Sequence, residues 1–151
     1  MSATPSAPPT IVLDTNAVLD WLVFRNPEFV RLAAAITAGD LRWIATAWMR
    51  EELTHVLALG HLTAWQPDPP AIWAAWDRCC ALQPTPALSG PPGRLRCSDP
   101  DDQPFIDLAR AAGARWLISR DRAVLKLARR LREHGVEVIP PGAWRPLAAA
   151  S

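Results

Sequence analysis

Short apolar runs, each stopping abruptly at polar residues, alternate along this chain with stretches of helical periodicity. Ile11-Val12-Leu13 ends in Asp14-Thr15-Asn16, and Trp116 to Ser119 is followed at once by Arg120-Asp121. An apolar run without polar alternation is the mark of a strand buried on both faces. Such strands belong to parallel sheets, whose neighbours need crossover connections, and helices supply them. The reading is therefore an α/β fold with a mostly parallel sheet covered by helices.

The elements follow from local signals. A strand at Ile11–Leu13 feeds a helix capped in the Asp14–Asn16 triplet and running to about Phe24. A helix from Pro27 to Ala38 closes on Gly39-Asp40, and Leu41–Ala45 forms a second strand before a helix from Thr46 to Leu59. Pro69-Pro70 opens a Trp-rich helix to about Leu82, and the proline- and glycine-rich stretch Gln83–Gly93 is loop. Asp102–Ala112 is helix, Trp116–Ser119 strand, Asp121–His134 a basic helix and Val136–Ile139 the last strand. Trp73 and Trp76, at helical spacing, read as packing residues in preference to an interface.

The 151 residues suffice for one domain with a real core. Residues 1–9, small and proline-rich, read as a disordered tail, 10–145 as the domain, and 146–151 as a short C-terminal tail. No run is apolar enough to cross a bilayer and no signal peptide opens the chain, so a cytoplasmic protein without membrane contact is expected. A formal net charge of +1 excludes a general attraction to polyanions, so any nucleic-acid site must be local. Cys79, Cys80 and Cys97 make neither a disulfide set nor a paired CxxC metal site and read as reduced thiols.

In open parallel sheets ligands sit beyond the carboxyl ends of the strands, where Asp14 and Asp121 lie. On the Thr46–Leu59 helix, Glu52 falls beside the stripe of Met49, Leu53, Val56 and Leu57, while Glu51 faces solvent. Extended backward, the helix bearing Phe105, Ile106 and Ala109 puts Asp102 within its stripe; Asp101 falls nearer the edge, and Asp99, before a proline, belongs to a turn. Asp14, Glu52, Asp102 and Asp121 thus form a candidate inward set from four segments. Converging carboxylates repel, and Mg²⁺ or Mn²⁺ relieves that repulsion with oxygen ligands. The chemistry that follows is metal-assisted phosphodiester hydrolysis, needing no nucleophilic Ser or Cys. Plain structural roles stand beside it: Asp14, Asp102 and Asp121 are N-cap candidates, and Glu52 is a candidate surface residue or partner of Arg25 or Arg31. His55 and His61 lie off the Glu52 face and beyond the helix end.

Ile-Val-Leu-Asp14-Thr-Asn16, the Glu52-Leu-x-x-Val-Leu helix, Cys97-Ser-Asp-Pro-Asp-Asp102-x-x-Phe-x-x-x-Ala and Leu-Ile-Ser119-Arg-Asp121-Arg occur in this order. Together they resemble the PIN-domain family, in particular its toxin branch related to VapC-like ribonucleases, over about residues 10–140. The resemblance implies a three-layer α/β/α fold and an Mg²⁺- or Mn²⁺-dependent endoribonuclease leaving a 3′-hydroxyl and a 5′-phosphate. It also implies a homodimer and inhibition by a cognate antitoxin encoded nearby. Asp14, Glu52, Asp102 and Asp121 match the family's acidic positions, as catalytic residues and metal ligands. Asn16 matches the polar residue after the first acid, and Ser119 stands where the family usually has Thr, each supporting a carboxylate or a coordinated water. The departure is Ala123, where this branch often has another Asp; one carboxylate fewer leaves single-metal catalysis open. A housekeeping nuclease acting on RNA or DNA structures, or an inactive binding domain, would share most of this pattern.

Residues 94–132 hold ten basic residues against five acids. Arg120 and Arg122 flank Asp121, and Lys126 follows on the next helix, so these three are the candidate RNA contacts. Further along, Arg129, Arg130 and Arg132 extend the candidate phosphate-contacting surface, with a solvated helix face as the alternative reading.

Overall fold

The computed structural model describes residues 7–86 and 95–146. The part of the Gln83–Gly93 loop from 87 onward, residues 1–6 of the expected leading tail and 147–151 of the trailing one lie outside the described residues. Pro9, expected in the tail, accepts a hydrogen bond from the Arg42 N–H at 2.8 Å.

Five strands, β1 (Thr10–Leu13), β2 (Arg42–Ala45), β3 (Cys80–Leu82), β4 (Trp116–Ile118) and β5 (Glu137–Ile139), form one sheet in the order β3-β2-β1-β4-β5. Every pairing is parallel. The helices are α1 (Thr15–Leu22), α2 (Val30–Thr37), α3 (Ala47–Ala58), α4 (Pro69–Cys79), α5 (Gln103–Ala112), α6 (Arg122–Leu125) and α7 (Ala128–Arg132). The apolar runs that signalled strands are buried as expected: Ile11, Val12, Leu117 and Ile118 are fully enclosed. Parallel crossovers are right-handed. The connections β1 to β2 to β3 run one way along the sheet and those leading to β4 and β5 run the other. Helices α1–α4 therefore cover one face and α5–α7 the opposite one, consistent with a three-layer α/β/α fold. The packing of α1 on α3, of α5 on β1 and β4, and of α7 on β5 agrees.

Two expectations are corrected. The Trp-rich helix stops at Cys79, and Cys80-Ala81-Leu82 forms the edge strand, pairing Trp43 with Cys80 and Ala45 with Leu82. Pairing with β2 supplies hydrogen bonds that a last helical turn would have to find in itself. The basic helix over 121–134 is two pieces. The N–H of Leu127 bonds to the Val124 carbonyl three residues back, a tighter turn than α, which seats Leu127 in the core beside Val124 and Leu131. A shorter change precedes α2, where Pro27–Phe29 is a 3₁₀ turn capped by Asn26. Trp76 is buried edge-on to Trp43, and Trp73, partly buried, packs edge-on to Trp76 with the Arg50 guanidinium 4.3 Å from its ring centre. Among the described residues no helix is long and apolar enough to cross a membrane. All three cysteines are free thiols.

β1 lies at the centre, and the chain leaves it to opposite sides, so the topological switch point falls between β1 and β4. Leu13 is in register with Ile118, which sets Asp14 and Ser119 side by side at the carboxyl edge. The Asp14 N–H reaches the Ile118 carbonyl at 3.2 Å.

Candidate metal centre

Asp14 sits at the centre of this edge, 2% exposed, with its Oδ1 accepting the Ala17 N–H at 2.7 Å. It is thus a helix N-cap, and it also receives the hydroxyl of Ser119. That hydroxyl oxygen in turn accepts the Asp121 N–H at 3.0 Å, so one fully buried serine ties the first acid to the fourth. Asp121 caps α6, its Oδ1 accepting the Ala123 N–H at 2.8 Å.

Asp102 behaves differently. It stands at the N-terminus of α5 in right-handed helical conformation and makes no side-chain cap bond. Its Oδ2 is buried with no hydrogen-bond partner. Glu52 comes from α3, in the opposite helical layer. It receives the Thr15 hydroxyl, and its Oε2 is likewise buried and unpartnered. Among the described residues neither Arg25 nor Arg31 pairs with it. The capping role therefore holds for Asp14 and Asp121, while Asp102 and Glu52 bury carboxylate oxygens with nothing to meet them, at a cost that needs a ligand to offset.

Asp99 is an acid that the sequence reading places in a turn and leaves outside the acid set. It does lie in a turn, its Oδ1 accepting the Asp101 N–H at 3.0 Å. The turn nevertheless carries it to the site: Asp99, Asp102 and Asp121 each offer a carboxylate oxygen within 4.8 Å of the others. A single glutamine positions the segment that holds it. Gln103 accepts the Cys97 N–H at Oε1 and donates from Nε2 to the Leu95 carbonyl and to Asp107, while Leu95 and Cys97 bury their side chains. The turn-forming signal Ser-Asp-Pro-Asp is visible in the sequence; the contact with Asp121 is not.

The electrostatics record the crowding. Burial, then the charges of Asp121, Asp99, Asp14 and Glu52, push the Asp102 carboxyl up to about 7. Burial raises Asp14 to about 6 against the hydrogen bonds of Ser119 and Ala17, with Asp121 and Asp20 adding to the rise. Glu52 is raised by burial, opposed by Thr15, and raised further by Asp101, Asp14 and Asp99. Oxygen-only donors, mutual repulsion and two orphaned buried oxygens fit a hard divalent cation. Asp99, Asp102 and Asp121 are close enough together to hold it, and Asp14 and Glu52 are near enough for their charges to act on Asp102.

The other expected site residues divide. Ser119 is inside the cluster. Asn16 is exposed and makes no side-chain hydrogen bond among the described residues; Thr15 beside it is the residue that touches an acid. Arg120 is half exposed, and its guanidinium is held by the buried Asp20 of α1, an ion pair across 100 positions of sequence. Its guanidinium is thus tied to Asp20 through one nitrogen while the rest of the side chain stays open to solvent. Arg122 and Lys126 are exposed. His55 and His61 are exposed and outside the cluster. A separate cavity of about 700 Å³ opens at the amino ends of the strands, lined by Pro9, Arg31, Ala35, Leu41, Trp116 and Trp144, remote from these acids.

No curated protein matches the chain. A family model described as PIN domain matches residues 10–123, from the first strand through the turn that carries Asp121. Members of that family are typically metal-dependent nucleases, and the acid cluster at the carboxyl edge is where such chemistry needs it. With three quarters of its length matched and its acids gathered at the switch point of a five-stranded parallel sheet, the chain belongs to the PIN domain family.

Proposed function

We propose that this chain is a metal-dependent endoribonuclease that hydrolyses RNA phosphodiester bonds, leaving a 3′-hydroxyl and a 5′-phosphate. Its role in this reading is the toxin of a toxin-antitoxin pair, a homodimer restrained by a cognate antitoxin. The observation that carries the activity is the clustering of the Asp99, Asp102 and Asp121 carboxylates, with Asp14 and Glu52 near enough for their charges to act on Asp102 and with Asp102 Oδ2 and Glu52 Oε2 buried and unpartnered. An Mg²⁺ or Mn²⁺ ion there would lower the pKa of the attacking water and offset charge on the leaving oxygen.

The chain's own residues set the stage for that chemistry. Ser119 fixes one face of Asp14 and the backbone of Asp121 together, so the two central acids move as a unit. Ala17 and Ala123 hold one oxygen of Asp14 and of Asp121. Thr15 orients Glu52. Such outer contacts limit rotation of the carboxylates and prepare the site before an ion arrives. Asp99 adds an acid to the cluster where Ala123 supplies none.

The test is cleavage of mixed single-stranded RNA by purified protein with Mg²⁺, with Mn²⁺ and with chelator, beside Asp14→Asn. Chelator-sensitive cutting absent from the variant is expected; equal cutting by both proteins would overturn the assignment. For the toxin role, induced expression is expected to arrest growth and Asp14→Asn to relieve it. Continued growth with soluble, active enzyme would move the role to RNA maturation or DNA-structure cleavage. Inertness without divalent-ion binding would leave a binding domain.

A further inference from the structure

A cavity of about 590 Å³ lies beside the acid cluster, lined by Arg96, Ser98, Ala123, Lys126, Leu127, Arg129, Arg130 and Glu133. It adjoins the cluster through two lining residues. Ser98 is the chain neighbour of Asp99, and the Ala123 N–H is the group that holds Asp121. The lining is strongly cationic: Arg96, Lys126 and Arg129 outweigh the single Glu133 even with Arg130 set aside. Among the described residues, Arg96, Lys126 and Arg129 form no ion pair and no side-chain hydrogen bond. Three like charges around one hollow repel each other, an arrangement that costs stability unless an anion enters.

Two properties of the fold create this hollow. The tight turn at Leu127 breaks the basic helix into α6 and α7, and Lys126 and Arg129, on either side of that break, both line the cavity. Ala123 keeps its part of the lining short and uncharged, where an acid would place a negative charge between the cluster and the cations.

We propose that this cavity is a phosphate subsite, taking the RNA backbone next to the bond that lies at the acid cluster. The proposal rests on the nuclease reading above and adds the direction in which the strand leaves the site. A polyanion whose charges repeat along a flexible chain can place one phosphate at the acids with their cation and the next among Arg96, Lys126 and Arg129. An acidic peptide has the charge for the cavity but no phosphate to offer the metal site beside it. Arg120, locked to Asp20, lies outside the subsite.

The test measures binding apart from chemistry. A fluorescein-labelled single-stranded RNA is titrated by anisotropy against the full chain in chelator, at KCl from about 50 to about 200 mM. Arg96→Ala, Lys126→Ala and Arg129→Ala are each expected to weaken binding several-fold and to lower the slope of log K against log salt by about 0.7, the triple variant by about 2. Arg31→Ala, which removes the same charge at the far edge of the sheet, is expected to change neither. Circular dichroism confirms that each variant folds. With Mg²⁺, the triple variant is expected to raise KM for RNA cleavage with little change in kcat. Wild-type salt slope in the triple variant overturns the subsite, as does failure of wild type to bind RNA. So does displacement of RNA by polyglutamate as readily as by unlabelled RNA, which would make the cavity a seat for an acidic protein segment. Absence of cutting with intact, cavity-dependent RNA binding would instead sink the nuclease reading and leave the subsite standing.

Discussion

Replacing Asp102 by Asn is expected to make the metal-free protein more stable at neutral pH while abolishing its response to metal. Asp102 carries its carboxyl at about 7 against an ordinary value of 3.8, chiefly through burial and then through four neighbouring acids. A folded-state pKa raised above the unfolded one means the native state holds the proton more tightly. Stability from this group is therefore present at low pH and lost as pH rises from about 4 to about 7. A rise of that size corresponds to a ceiling of about 4 kcal/mol. Asp102 is only partly buried, so screening by water reduces the effect to roughly 2 kcal/mol. For a domain of this size that is a rise of about 4–8 °C in Tm. The assay is differential scanning calorimetry of wild type and Asp102→Asn in chelator at about pH 7.5 and about pH 4.5, then with saturating Mn²⁺. The gain is expected at the higher pH alone. With metal at about a hundred times its Kd, wild type recovers about 2.7 kcal/mol and the variant much less. A variant destabilised equally at both pH values would show that Asp102 is a structural helix cap and refute the reasoning.

Divalent-ion affinity, followed by titration calorimetry, is expected to strengthen from about pH 5 to about pH 8, because the metal displaces protons that the raised Asp14 and Asp102 carboxyls hold. A flat profile would place the ion elsewhere. Gln103→Ala removes the bonds to Cys97, Leu95 and Asp107, and is expected to cost about 1–3 kcal/mol in thermal melts and to weaken metal binding through a loosened Asp99–Asp102 turn. Unchanged metal affinity would show that Asp99 is dispensable. Arg120→Ala leaves Asp20 buried without its cation and is expected to destabilise by roughly 2 kcal/mol at pH 7.5, and by less as pH falls, because burial raises the Asp20 carboxyl above its ordinary value and protonation removes the unpaired charge. Asp20→Asn in the same chain is expected to restore most of the loss; failure to do so would assign the effect to packing of the arginine stem.

What the sequence alone determined was local and periodic. Uninterrupted apolar runs specified β1 and β4, because a strand buried on both faces cannot alternate, while β2 and β5, each carrying one exposed charge (Arg42, Glu137), were marked by the glycine turns Gly39 and Gly135 that precede them. Helical periodicity turned Glu52 inward and Glu51 outward, and strand ends located Asp14 and Asp121 on the functional edge, because both inferences depend only on neighbours a few residues away. The tertiary structure alone decided the rest. Cys80–Leu82 is a strand because β2 lies beside it, and a run of three residues carries no pattern that announces such pairing. Arg120 is a structural cation because Asp20, a hundred residues distant, folds against it. Asp99 joins the cluster because Gln103 anchors its turn at the switch point, and Asp102 is an unpartnered acid with a raised pKa because four other carboxylates arrive there too. These contacts depend on chain crossings far apart in sequence, where no local propensity acts, and the repulsion that marks the metal site exists only once the fold has brought its charges together.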